Sequence, residues 1–207
     1  MTRNKRYPKA DREHVLWRIA NLVQAGNWIT LDTETTGRGF EDQVIEVAIC
    51  EPELPELPTR IWRIRPTVAI TEEATQVHGI RIEDLEGCPT FADYWPQIEA
   101  VINRRKNVMY NAEFDYRMLF MTAHAHHMPR PYLWNGLCAM QWYAIYHGEP
   151  FGYDGYKYQS LEEACRQMEI PIEEPLHRAA TDAKLTAQLL IKLAEIAKRD
   201  IPYHLSH

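Results

Sequence analysis

The spacing of hydrophobic and polar positions predicts one helix and then three strands in the first third of the chain. Apolar residues recur at helical spacing from Val15 to Val23 within residues 10–25, and Gly26 is suited to ending that helix. Short alternating or β-branched runs follow and predict an antiparallel meander, with strands over residues 28–31, 44–50 and 60–65. Three prolines between residues 52 and 58 predict a loop before the third strand.

From about residue 90 the pattern changes to helices that alternate with short strands. Helices are predicted over residues 91–105, 113–124, 160–168 and 180–198, and strands over residues 107–110 and 132–137. Ser160 and Glu163 have the spacing of a capping box at the start of the third of these helices. A meander followed by alternating helix and strand predicts an α/β domain with a mixed five-stranded sheet, antiparallel first and then parallel, flanked by helices.

Composition and charge are those of a soluble globular protein. The 207 residues are 45% hydrophobic and 25% charged, and no apolar run approaches the length of about 18 residues that a membrane span needs. We therefore expect no membrane association, and the basic N-terminus lacks the apolar stretch of a secretory signal, so a cytoplasmic location is expected. A net charge of −6 argues weakly against a protein that coats nucleic acid without specificity, although local basic clusters remain for substrate contact or for a solvated surface.

Four carboxylates and one histidine are the candidate catalytic groups. Asp32 and Glu34 are two residues apart at a predicted strand end, so both carboxylates point to the same face. Two such carboxylates repel each other unless a cation intervenes, and Mg²⁺ and Mn²⁺ prefer hard oxygen ligands. Asp115 and Asp182 stand at predicted helix starts, where an acid also simply complements the helix dipole, and His177 is borne by a loop. Taken together, these groups could meet in the crevice at one edge of the sheet.

Five sequence blocks in order carry a resemblance to a known family. They are Asp32-Thr33-Glu34-Thr35-Thr36-Gly37, Asp42-x-Val44-Ile45-Glu46-Val47-Ala48, Val77-His78-Gly79-Ile80, Asn111-x-x-Phe114-Asp115 and His177-x₄-Asp182. Over about residues 28–195 the chain resembles the DnaQ-like 3′–5′ exonucleases, typified by the proofreading subunits of bacterial DNA polymerase III. A histidine at position 177 resembles the DEDDh branch. The resemblance implies a ribonuclease H-like fold.

The resemblance also implies a mechanism. Asp32, Glu34, Asp115 and Asp182 would hold two divalent metal ions, Mg²⁺ or Mn²⁺, and His177 would take the proton from the attacking water. The reaction would release nucleoside 5′-monophosphates from a free 3′ end, with single-stranded DNA as the favoured substrate. The residues that the resemblance places beside the terminal nucleotide are Thr33, Thr35, Thr36, Gly37, His78, Asn111 and Phe114.

Two features fall outside the family pattern. Tyr110 stands where many members carry histidine, so we expect altered packing or substrate contact there rather than a lost metal ligand. The aromatic and glycine-rich segment from Gly148 to Tyr158 is either a substrate-facing loop or an ordinary surface connection.

Alternative functions and the domain plan complete the expectations. One alternative is an RNA-processing exoribonuclease like ribonuclease T or oligoribonuclease, and the other is a non-catalytic subunit that binds a polymerase. The 3′–5′ exonuclease could also have a polymerase or another replication or repair protein as its partner. We expect a monomer or a homodimer. The expected plan is a basic segment and helix over residues 1–26 packed on the main domain, the exonuclease domain over 27–198, and a short tail over 199–207.

Overall fold

The computed structural model describes residues 8–53, 59–131, 136–152, 155–172 and 177–201. Within these ranges the strands are β1 Trp28–Thr35, β2 Val44–Cys50, β3 Arg60–Arg63, β4 Lys106–Met109, β5 Leu137–Cys138, β6 Pro150–Phe151 and β7 Gly155–Tyr156. The α-helices are α1 Pro8–Ala25, α2 Glu72–His78, α3 Phe91–Ile102, α4 Ala112–Ala125, α5 Ala139–His147, α6 Leu161–Gln167 and α7 Ala179–Asp200, and a 3-10 helix spans Ile82–Leu85.

The main sheet has five strands in the order β3-β2-β1-β4-β5. The pairs β1–β2 and β2–β3 are antiparallel, whereas β1–β4 and β4–β5 are parallel. This confirms the predicted mixed sheet, with a meander followed by parallel strands. Of the predicted strand over 132–137, residues 132–135 lie outside the described ranges, and β5 occupies its last position and the residue after it.

The central strand β1 is longer than predicted. Asp32 does not end it, because pairing with β2 continues from Thr30 through Glu34, with a register shift before Thr35. The β-branched residues Thr33 and Thr35 suit a strand and are both buried. Asp32 and Glu34 therefore lie inside a strand whose backbone is paired, which fixes the direction of both carboxylates.

Helices cover both faces of the sheet. Ile29, Leu31 and Val47 belong to a buried cluster shared with α3 and α4 on one face. On the other face Ala48 packs against α7, and the Thr30 hydroxyl donates a 2.7 Å hydrogen bond to the carbonyl of Ala183 in that helix. Helix α1 shares a further cluster with α5, α6 and α7. No helix in the described part of the chain has the length and apolarity needed to cross a bilayer.

Several boundaries and short elements differ from the sequence expectations. Helix α3 ends at Ile102 rather than at residue 105, since Arg104 adopts a positive φ of 63° that interrupts a helix. The Ser160 hydroxyl accepts from the backbone N–H of Glu163, but that carboxylate pairs with Arg166, so only half of the predicted capping box forms. Helices α2 and α5 and the hairpin β6–β7 were not predicted, because each is too short to show a clear periodicity.

A buried threonine links α4 to the start of β2 and yields a stability prediction. The Thr122 hydroxyl accepts from the backbone N–H of Val44 at 2.8 Å and donates to the carbonyl of Met118 at 2.7 Å. Thr122→Val preserves the shape but leaves the Val44 N–H without its acceptor, so we expect a loss of about 1–3 kcal/mol in the free energy of unfolding. Urea denaturation measures this loss. Thr122→Ser keeps the hydroxyl and should lose clearly less; equal losses for both variants would contradict the assignment.

Candidate active site

The four acids and the histidine line one cavity of about 810 Å³ at the C-terminal ends of the parallel strands β1 and β4. Strand β1 carries Asp32 and Glu34, the first turn of α4 carries Asp115, and the first turn of α7 carries Asp182. His177 lies just before α7, exposed and with a positive φ of 60°. Residues more than 140 positions apart in the chain are thus gathered in one cavity.

Burial and mutual repulsion raise the pKa of the two acids on β1. For Asp32 burial is the larger cause, and the charges of Asp115, Asp182 and Glu34 add to it, so its pKa lies well above the usual range. Burial, followed by the charge of Asp182, raises the pKa of Glu34 from 4.5 to about 8. At neutral pH this cavity resists carrying its full negative charge.

The two helix-borne acids are shifted in the same direction. Burial raises the pKa of Asp115 to about 7, although the Thr33 hydroxyl donates to its Oδ1 at 2.8 Å and opposes the shift. Burial also raises the pKa of Asp182 to about 6, against the favourable charge of the neighbouring His177. Among the described side chains, Asp182 Oδ1 is a buried oxygen that has no hydrogen-bond partner.

The donor set fits a divalent cation by its chemistry. Four carboxylates supply hard oxygens, and burial followed by mutual repulsion raises the pKa of the two acids on β1. The unpartnered Asp182 oxygen is buried where a cation would satisfy it. Within the described ranges no group of three or more His, Cys, Asp or Glu side chains is arranged so that it could hold a metal ion. The fit therefore rests on the chemistry of the donors.

Glu46 is a fifth buried acid beside this group. It lies opposite Glu34 in the β1–β2 register, is only 3% exposed, and raises the pKa of both Glu34 and Asp32. The Nε of Arg63, its register partner on β3, donates to Glu46 Oε2 at 3.2 Å. The sequence offered Glu46 only as part of a strand motif, since cross-strand register is not visible in a single chain.

The residues between Thr33 and Gly37 that are predicted to lie beside the terminal nucleotide do not all line the cavity. Thr33, Thr35 and Gly37 line the cavity, whereas Thr36 is fully buried outside its lining and donates to Asp42 Oδ1 at 2.7 Å. A side chain at Gly37 would meet the Asp42 carboxylate, which lies 2.5 Å from an ideal Cβ position. Thr36 and Asp42 thus shape the turn, and Thr33 and Thr35 of β1 line the cavity.

His78 lines the cavity but uses both ring nitrogens within the protein. Its Nδ1 accepts from the backbone N–H of Ile80 at 3.0 Å, so Nε2 carries the proton and donates to the carbonyl of Thr35 at 3.2 Å. Burial lowers the pKa of His78, in keeping with a neutral ring. Any contact with a nucleotide would therefore be made by the ring carbons.

The start of α4 contributes the remaining predicted substrate-side residues. Asn111 precedes the helix and makes no capping bond with its side chain, and Phe114 lies in the first turn, both at the cavity. The Arg117 guanidinium lies 5.4 Å from the centre of the Phe114 ring and donates to the carbonyl of Arg38, which also lines the cavity. These contacts connect the turn after β1 to α4.

The cavity also includes residues that the sequence motifs did not single out. They come from α2 and the residue before it, from the turn after β1, and from α5 and the segment entering α6: Thr71, Glu73, Ala74, Arg38, Met140, Gln159, Ser160 and Leu161. Arg178 acts on the site too, since its charge lowers the pKa of Glu34 against the larger effect of burial. In the sequence, Arg38 and Arg178 could have been found only by their position, because each directly follows a motif residue, Gly37 or His177.

Comparisons with known proteins show which family the chain belongs to. The family model described as "Exonuclease" (RNase_T) matches residues 29–190. The "Uncharacterized exonuclease CP81" of Escherichia phage 186 is 31% identical over 172 residues, covering 81% of this chain and 88% of the relative. The "DNA polymerase III PolC-type" of Thermotoga petrophila is 25% identical over 206 residues, and the match spans 93% of this chain but 14% of the polymerase.

Solved structures share the fold. "Exonuclease X in complex with 5′ overhanging duplex DNA" superposes with a TM-score of 0.60 at 22% identity, covering 82% of this chain and 92% of that one. The nuclease domain of 3′hExo, described as a DEDDh family member bound to rAMP, gives a TM-score of 0.62 at 14% identity, covering 83% and 93%. The fold is therefore ribonuclease H-like, and the chain belongs to the DnaQ-like, DEDDh-type exonuclease family, whose members are nucleases that use divalent metal ions.

Proposed function

We propose that this protein is a 3′–5′ exonuclease that releases nucleoside 5′-monophosphates from the free 3′ end of a nucleic acid, with single-stranded DNA as its favoured substrate. The observation that carries the proposal is the convergence of Asp32, Glu34, Asp115, Asp182 and His177 on one cavity. Every acid in that set has a raised pKa, as expected for a site built to receive positive charge.

The four acids would hold two divalent ions, Mg²⁺ or Mn²⁺. Bound ions of this kind supply the Lewis acidity that activates water and stabilises a leaving oxygen. The protein's own contribution is to fix the ligands before binding: Asp32 and Glu34 are held by strand pairing, and Asp115 is held by the Thr33 hydroxyl.

His177 is the proposed general base. Its exposed position at the mouth of the cavity, just ahead of Asp182, suits a group that takes a proton from water and returns it to solvent. The imidazole is the side chain whose ordinary pKa lies closest to neutral pH. Thr35, Asn111 and the ring of Phe114 would orient the terminal nucleotide against these groups.

RNA is the second candidate substrate. One neighbour of the same fold is described as giving "3′-end specific recognition of histone mRNA stem-loop", with a TM-score of 0.68 at 12% identity. The acids act on the phosphodiester, which DNA and RNA share, so a preference depends on contacts with the ribose. Parallel rates on DNA and RNA oligonucleotides of matched sequence decide between the two.

A polymerase partner and the domain plan are further parts of the proposal. The match to a polymerase of the PolC type supports a replication or repair setting. Residues 27–198 would form the nuclease domain, with the helix of the preceding segment as an integral layer, because α1 shares a buried cluster with α7. The protein would act as a monomer or a homodimer.

Removing one acid tests the metal-dependent reaction. Asp32→Asn keeps the shape of the side chain but removes a charge from the centre of the acid group. We expect loss of EDTA-sensitive nucleotide release by at least about 10²-fold, with the protein still folded. The assay follows 5′-monophosphate release from a strand labelled at either end. Wild-type activity in the variant, or release from the 5′ end, would contradict the proposal.

Replacing the base tests His177. We choose His177→Asn because asparagine tolerates the positive φ of 60° at this position better than alanine does. The rate should fall by about 10²–10⁴-fold. An unchanged melting temperature is the control. A variant that keeps the wild-type rate would remove His177 from the mechanism.

The raised pKa values predict how metal and pH affect stability. The folded protein holds protons on Glu34, Asp115 and Asp182 that the unfolded chain releases, so without metal these three groups contribute their full stabilisation at low pH. That contribution should be lost as pH rises from the ordinary carboxyl values of 3.8 to 4.5 toward about 8. Thermal unfolding in EDTA and in Mn²⁺ should show a metal-dependent stabilisation that grows over this window. In EDTA, Asp32→Asn should reduce the fall in melting temperature with rising pH. A wild-type melting temperature in EDTA that rises with pH over this window would contradict the raised pKa values of the acids.

A further inference from the structure

The aromatic segment that follows α5 forms one wall of a separate groove. Hairpin β6–β7 lies beside α5, and a groove of about 580 Å³ runs between them. Phe151 and Tyr158 line this groove and are 67% and 55% exposed. Two large, solvent-exposed rings in one groove form an apolar surface that is suited to binding a ligand.

The groove and the catalytic cavity share a rim. Tyr158 lines the groove while its neighbour Gln159 lines the cavity, and on α5 Gln141 lines the groove while Met140 lines the cavity. Consecutive Cα atoms are about 3.8 Å apart. A strand whose 3′ end occupies the cavity would cross this rim to enter the groove.

Hydrogen bonds hold this rim in place. The buried Tyr110 hydroxyl donates to the carbonyl of Gln159 at 2.8 Å, which gives a role to the tyrosine that departs from the family pattern. The backbone N–H of Lys157 donates to the carbonyl of Glu149 at 2.9 Å, and the Tyr156 hydroxyl donates to Asp11 Oδ2 on α1 at 2.7 Å. These bonds tie the residues on either side of Tyr158 to the rest of the protein, which lowers the ordering cost of binding there.

We propose that this groove binds single-stranded nucleic acid on the 5′ side of the terminal nucleotide, by stacking bases on Phe151 and Tyr158. The inference rests on the proposed function, because the shared rim defines where the strand comes from. Aromatic rings stack on any base, so the platform suits a nuclease without sequence preference. Bases in a duplex are already stacked on one another, and so the groove favours single strands.

Binding and catalysis are measured separately to test the groove. The binding probe is a fluorescently labelled single-stranded oligonucleotide in EDTA, where it stays intact. The double variant Phe151→Ala/Tyr158→Ala should weaken this binding by about tenfold or more. The catalytic probe is the p-nitrophenyl ester of thymidine 5′-monophosphate, which has no upstream nucleotide. Its metal-dependent hydrolysis should be the same for the double variant and the wild type.

Matched controls separate stacking from general effects. Tyr158→Phe keeps the ring and should bind as the wild type does. Phe120→Ala removes a ring that is 37% exposed on α4 and lines neither the groove nor the cavity, so it should have no effect.

The outcomes distinguish the two proposals. Unchanged oligonucleotide affinity in the double variant would overturn the groove assignment and would point to a different macromolecule, such as a protein partner, on these rings. Weakened binding in the double variant, with no hydrolysis of ester or oligonucleotide by the wild type, would overturn the proposed activity and leave the groove assignment standing.

Discussion

The repulsion among carboxylates gathered on and around β1 is the constraint on which the rest of the site depends. Asp32, Glu34 and Glu46 share one face of the sheet, and Asp115 and Asp182 reach it from two helices. Such a group is unfavourable in a protein interior unless cations or protons compensate it. The fold tolerates it because the surrounding strands and helices are well packed, and under the proposed function divalent ions would relieve this repulsion.

Compensation within the protein is partial and lies at the periphery. Arg63 neutralises Glu46 at the outer strand, and Arg178 acts on Glu34 from the start of α7, while Asp182 keeps an unpartnered buried oxygen. Under the proposed function this partial compensation leaves negative charge for divalent ions to neutralise, at a cost in stability when they are absent.

Short elements form two walls of the cavity that contains the four acids. Helix α2 places one wall, with His78 bonded at both nitrogens, and the segment entering α6 places another through the Tyr110–Gln159 bond. That second wall continues into the hairpin with its exposed rings. Under the two proposals, long strands and helices carry the catalytic groups, and short elements, which vary more easily, guide the nucleic-acid strand.

The sequence by itself determined the order of the five main strands and the longer helices, the family, and the candidate acids and histidine, because those features are local: periodicity, spacing and residue type. It placed Asp32 at a strand end, missed α2, α5 and the hairpin, placed Thr36 beside the nucleotide, and offered Glu46 only as part of a strand motif. Only the tertiary structure decided these points. Strand register sets which acids face each other, and burial sets their pKa values and decides which hydroxyls face the cavity. Both depend on contacts between residues distant in the chain, which no local pattern encodes.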